Sequence, residues 1–91
     1  MLRITVQVDS PGLRLRLEGR LAGPWVAEVE HCWQTVRQDK RGRPLTVDLR
    51  DVDFVDHAGE QLLASIYEDG ARLIATGLMI KGLVSRITGE R

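Results

Sequence analysis

The sequence has one cysteine, Cys32, so neither a disulfide framework nor a cysteine-based zinc site is open to it. It lacks a surplus of either charge. Thirteen Lys and Arg stand against 13 Asp and Glu, which leaves none of the basic excess that nucleic-acid binders carry. Long apolar runs are missing too: the longest are three residues, such as Leu62-Leu63-Ala64, where a membrane span needs about 18 or more. The first eight residues alternate Arg and Gln with apolar side chains, a pattern unlike a signal peptide. None of the nine glycines falls in the spacing of a dinucleotide fingerprint or a phosphate loop. What remains is one domain over residues 1–91, expected to be soluble and cytoplasmic, with no nucleic-acid partner and no membrane insertion. A chain of this length supports a single core and leaves little room for a deep substrate cavity.

The apolar pattern divides that domain into elements. Leu2, Ile4, Val6 and Val8 alternate with Arg3, Thr5 and Gln7, and Leu13, Leu15 and Leu17 alternate with Arg14, Arg16 and Glu18. Two such half-buried strands around the turn cluster Asp9-Ser10-Pro11-Gly12 predict an antiparallel hairpin. Pro24 suits a first helical turn, and Trp25, Val26, Val29, Cys32, Trp33 and Val36 follow on one helical face. The loop Asp39–Pro44 ends that helix, and Leu45–Leu49 reads as a third strand. Asp56 is a good helix cap ahead of Leu62, Leu63, Ile66 and Tyr67, with Asp69-Gly70 as the stop. Arg72–Thr76 reads as a fourth strand. Ile80, Leu83, Val84 and Ile87 predict a last helix, weakened by Gly82 in its interior. The order is β-β-α-β-α-β-α. After the hairpin this calls for right-handed crossovers between parallel strands, so the class is α/β with a mixed, mostly parallel sheet.

Few residues suggest chemistry. Asp48, Asp51, Asp53 and Asp56 cluster, but a calcium loop from Asp51 would need glycine and glutamate where Asp56 and Leu62 stand. They read better as solvated loop carboxylates plus one helix cap. Cys32 lies on the inward helix face and reads as a small buried hydrophobe. His31 falls on the wet face without a ligand partner. His57 follows the cap, but catalysis there would need a nucleophile and a pocket. Trp25 and Trp33 read as core anchors, with Trp25 a candidate interface residue. No catalytic residue, metal site or cofactor is expected.

The stretch Leu45-Thr46-Val47-Asp48-Leu49-Arg50-Asp51-Val52-Asp53-Phe54-Val55-Asp56-His57-Ala58-Gly59 resembles the signature of the STAS domain of sulfate transporters and anti-sigma factor antagonists. In that family a strand ending in Asp-Leu leads to Asp-Ser-Ser-Gly or a variant, then a helix, then Gly-Ala-x-Leu into the next strand. Gly70-Ala71-Arg72-Leu73 matches that last feature, and Leu17-Glu18-Gly19-Arg20-Leu21 is similar to the family's Leu-x-Gly-x-Leu. The likeness covers about residues 13–87. It implies helices stacked on one sheet face and a protein-binding switch rather than an enzyme. The surface implied runs over Asp56, His57, Ala58, Gly59 and Glu60. The partner implied is a kinase-type anti-sigma factor or, in a runner-up reading, the ATPase subunit of a phospholipid-transport ABC complex. A self-associating structural module is the third reading.

Three departures bear on function. His57 and Ala58 occupy the places of the two serines, so the phosphoacceptor position is held by Ala58 and the usual off-switch is expected to be missing. Glu60 brings a charge where the family commonly has leucine. The chain stops after the third helix, short of the family's final strand and helix. The Arg72–Thr76 strand is therefore expected to present a bare edge that pairs two copies into a homodimer, unless the tail from Thr88 folds over it. Arg3 and Gln7 are expected to protect the edge at the first strand better.

Overall fold

The computed structural model describes residues 1–9, 12–39 and 43–89. Parts of the Asp9–Gly12 turn, of the Asp39–Pro44 loop and of the tail after Thr88 lie outside them. The elements are β1 (Leu2–Asp9), β2 (Gly12–Leu21), α1 (Pro24–Asp39), β3 (Leu45–Val55), α2 (His57–Glu68), β4 (Arg72–Ile74) and α3 (Leu78–Thr88). The strands form a single sheet in the order β1-β2-β3-β4. β1 and β2 are antiparallel, while β2–β3 and β3–β4 are parallel. Both crossovers step across the sheet in the same direction, so right-handed connections put α1 and α2 on one face. α1 packs on α2 and α2 on α3, so the three helices form one layer.

Alternation decides which side chains meet that layer. Val8 pairs with Leu13, Val6 with Leu15 and Ile4 with Leu17, which puts all six on the helix side. Leu15, Leu17, Leu21, Val29, Val47, Leu49, Leu63 and Ile66 are fully enclosed. Each contributes about 1.5–3 kcal/mol from burial. Trp33 belongs to this core, with the Arg37 guanidinium over its ring at 5.3 Å. Arg37 also forms a two-pronged pair with Asp69, Nε to Oδ2 and Nη2 to Oδ1, both 3.0 Å, which ties α1 to the end of α2. Cys32 is half-buried, and desolvation pushes its thiol upward in pKa, away from a reactive thiolate.

β3 is much longer than the expected Leu45–Leu49. It continues through Arg50-Asp51-Val52-Asp53 to Val55 because β2 also continues, and Glu18, Gly19, Arg20 and Leu21 pair with Asp51, Val52, Phe54 and Val55. Two register shifts place extra residues on β3, which explains why its polar stretch did not alternate like a strand. Asp51 and Asp53 are therefore exposed strand carboxylates, not loop residues. Asp48 is 2% exposed and faces away from the helices. It accepts from Arg50 Nε (3.0 Å), Nη2 (2.8 Å) and backbone N–H (3.1 Å), and from Arg14 Nη1 (3.0 Å). The bonds from Arg50 above all, with Arg14, hold its carboxyl far below the usual range against the opposing effect of burial. Asp51 pairs with Arg16 at 2.7 Å. The sheet's open face thus carries a lattice of alternating charge rather than a second core.

Candidate functional site

β3 ends at Val55, and the next residue turns the chain into α2. Asp56 has extended backbone angles, as a capping residue should. Its Oδ1 accepts the Gly59 N–H at 2.8 Å, and its Oδ2 accepts the Gly23 N–H at 2.9 Å. The Asp56 N–H donates to the Leu21 carbonyl at 3.1 Å. One side chain thus joins the start of α2 to the turn between β2 and α1. The Gly23 bond, then the Gly59 bond, and after them nearby His57 lower its pKa. Gly59 is buried where α2 crosses the end of β2; a Cβ there would stand 2.7 Å from the Leu21 carbonyl oxygen. The Asp-x-x-Gly spacing therefore has an architectural basis: one residue caps the helix and the other lets it sit close to the sheet.

The residues between them face outward. His57 and Ala58 are exposed. Glu60, expected to be exposed, is half-buried because α3 runs beside it, and Arg86 of α3 donates to Glu60 Oε1 at 3.2 Å. Of the five residues assigned to a docking surface, Asp56 and Gly59 are thus engaged inside the fold, His57 and Ala58 point to solvent, and Glu60 is paired at the rim.

Sequence reasoning missed α3's contribution. A groove of about 470 Å³ runs between the starts of α2 and α3, lined among others by His57, Glu60, Leu78, Met79 and Arg86. Leu78 is 93% exposed and Met79 73%. Both lie off the Ile80-Leu83-Val84-Ile87 stripe, and apolar residues off the stripe at a helix start were the available signal. Among the described residues no three His, Cys, Asp or Glu side chains converge as a metal site, and no helix is long and apolar enough to cross a membrane.

No protein-family model matches the chain, and no curated protein matches it significantly. Solved structures do. An uncharacterised protein of the DUF3478 family from Shewanella loihica, described as having a SpoIIAA-like fold, superposes with a TM-score of 0.61 at 9% identity. The match covers 97% of this chain and 76% of that one. The fold is STAS-like. The structure of a protein called Mglu superposes with a TM-score of 0.62 at 22% identity, over 82% of this chain. This chain corresponds to only 19% of Mglu, so it matches one part of a much larger protein. At such identities the likeness speaks for fold alone, and any function of the STAS-like module has to be argued from its surface.

Proposed function

We propose that this STAS-like domain is a regulatory protein-binding module, similar to the anti-sigma factor antagonists, that works in the cytoplasm and catalyses no reaction. Its docking surface is the exposed start of α2, at His57 and Ala58, together with the tip of α3. The observation that carries this reading is Leu78 and Met79, two large apolar side chains left in water beside the Asp56–Glu60 turn. Exposed apolar residues grouped at a groove with a polar rim are characteristic of interaction sites. The groove offers a seat for an apolar side chain, with the Glu60–Arg86 pair at its border.

The partner class that fits the resemblance is a kinase-type anti-sigma factor. With Ala58 at the phosphoacceptor position the module is constitutively competent, and binding is limited by abundance rather than by phosphorylation. The lack of a hydroxyl at both positions 57 and 58 favours a second reading, a subunit that holds the ATPase of a phospholipid-transport ABC complex without a kinase cycle. Calorimetry against purified candidates of both kinds from the same genome separates the two. Leu78→Asp and Met79→Asp, and separately His57→Glu, should weaken the productive interaction by about tenfold or more, as removal of an anchor does. Intact mass after incubation with the anti-sigma kinase and ATP should show no added phosphate. Full-strength binding by both variants, with the fold verified by circular dichroism, would place the site elsewhere.

A further inference from the structure

The sheet has two edges, and they differ. β4 is three residues long and includes exposed Arg72, so the strand expected over Arg72–Thr76 ends at Ile74 and offers little edge to pair. Shortness is itself a protection. β1 is eight residues long, pairs with β2 in unbroken register, and contains no proline. Its own helix-side row, Leu2, Ile4, Val6 and Val8, is all apolar and carries no charged side chain of the kind that blunts an edge. Arg3 and Gln7 lie in the other row, on the open face, and so do not shield that side. Val6 is 47% and Val8 75% exposed, because α1 packs over β2 and leaves β1 beyond its flank. The two valines, with Ile4, Leu13, Cys32 and Val36, line an apolar groove of about 530 Å³ between β1 and α1.

We infer that β1 is a homodimer edge, and that the occupant of this surface is β1 of a second copy of the chain. The inference stands apart from the docking site at α2 and α3. The pattern of β1 is self-complementary. In an antiparallel pair related by a two-fold axis through Thr5 and normal to the sheet, Val6 meets Ile4 of the second copy and Val8 meets Leu2. Arg3 meets Gln7, and Thr5 meets Thr5. Apolar faces apolar throughout, no charge opposes its like, and the helix layers of both copies stay on one side. The result is a continuous eight-stranded sheet with a closed, isologous interface. Pairing also satisfies the outer N–H and C=O groups along the full length of β1, which the short β4 edge could not do.

Two measurements on the intact chain test this, with one variant. Sedimentation velocity from low to high micromolar concentration should show the mass moving from 10.2 kDa to twice that value. Over the same series, amide exchange within residues 2–8 should slow, while exchange at residues 72–74 stays constant. Val6→Lys with Val8→Lys, both at exposed positions, should raise the dimer dissociation constant by about tenfold or more, because it sets charges against Ile4 and Leu2 of the second copy in an otherwise apolar row. Leu78→Lys should leave it unchanged. A mass of 10.2 kDa at every concentration overturns the inference. So does a dimer whose β1 amides exchange at a concentration-independent rate, or one lost with Leu78→Lys instead. If the double variant fails to fold, the wild-type exchange data decide the question.

Discussion

Replacing Gly59 and Gly82 by alanine, one at a time, should move stability in opposite directions. Both lie in helices, where glycine costs about 0.5–1 kcal/mol relative to alanine. At Gly82 a Cβ would have no neighbour within 4 Å among the described residues, so nothing there opposes the gain. At Gly59 the same atom would stand 2.7 Å from the Leu21 carbonyl oxygen, 2.9 Å from Val55 Cγ1 and 3.0 Å from Leu21 Cγ. The nearest of these is backbone and cannot rotate away. That oxygen also accepts the Asp56 N–H, so moving α2 outward strains the bond that seats the helix. Overpacking of this kind costs about 1–3 kcal/mol, and the helical gain offsets part of it, which leaves a net loss of up to about 2.5 kcal/mol. In a domain of this size each kcal/mol moves the melting midpoint by roughly 4–8 °C. Thermal and urea unfolding followed by circular dichroism should therefore put Gly82→Ala above the parent and Gly59→Ala below it. If Gly59→Ala raises the midpoint as Gly82→Ala does, the close-approach argument is wrong.

Two further outcomes follow from the carboxylates. Asp48 has a depressed pKa in the fold, so its contribution is whole above the unfolded value of about 3.9 and fades as pH falls below it toward the folded value. Asp48→Asn should cost about 1–3 kcal/mol at neutral pH, the lower end reflecting a half-exposed Arg50. It should also flatten the acid limb of a stability–pH curve; an unchanged limb would show that other carboxylates dominate acid unfolding. Asp56→Ala removes acceptors for both Gly59 and Gly23. It should lower the melting midpoint and speed amide exchange at Gly23 as well as at Gly59, whereas an effect confined to Gly59 would reduce Asp56 to a local cap.

Much of this molecule could be read from local pattern. Strict alternation in residues 2–8 and 13–18 specifies a hairpin, because period two sends every second side chain to one face. The stripes Val29-Cys32-Trp33-Val36 and Ile80-Leu83-Val84-Ile87 specify helices for the matching reason at period 3.6. Asp56 announced a helix start, since a short carboxylate ahead of free N–H groups has a local partner within three residues. What depended on residues far apart in sequence was hidden. The length of β3 rests on pairing with the far half of β2, and bulges there broke the alternation that would have advertised it. Asp51 looked like a loop carboxylate because Arg16, its partner from a neighbouring strand, lies 35 residues away. The role of Gly59 depends on where Leu21 ends up, and the burial of Glu60 on where α3 lies. The exposure of Val6, Val8, Leu78 and Met79 follows from the reach of helices that each stripe defines but cannot position. Local periodicity determined the elements and their order; only their packing decided which apolar side chains were left over to meet another protein.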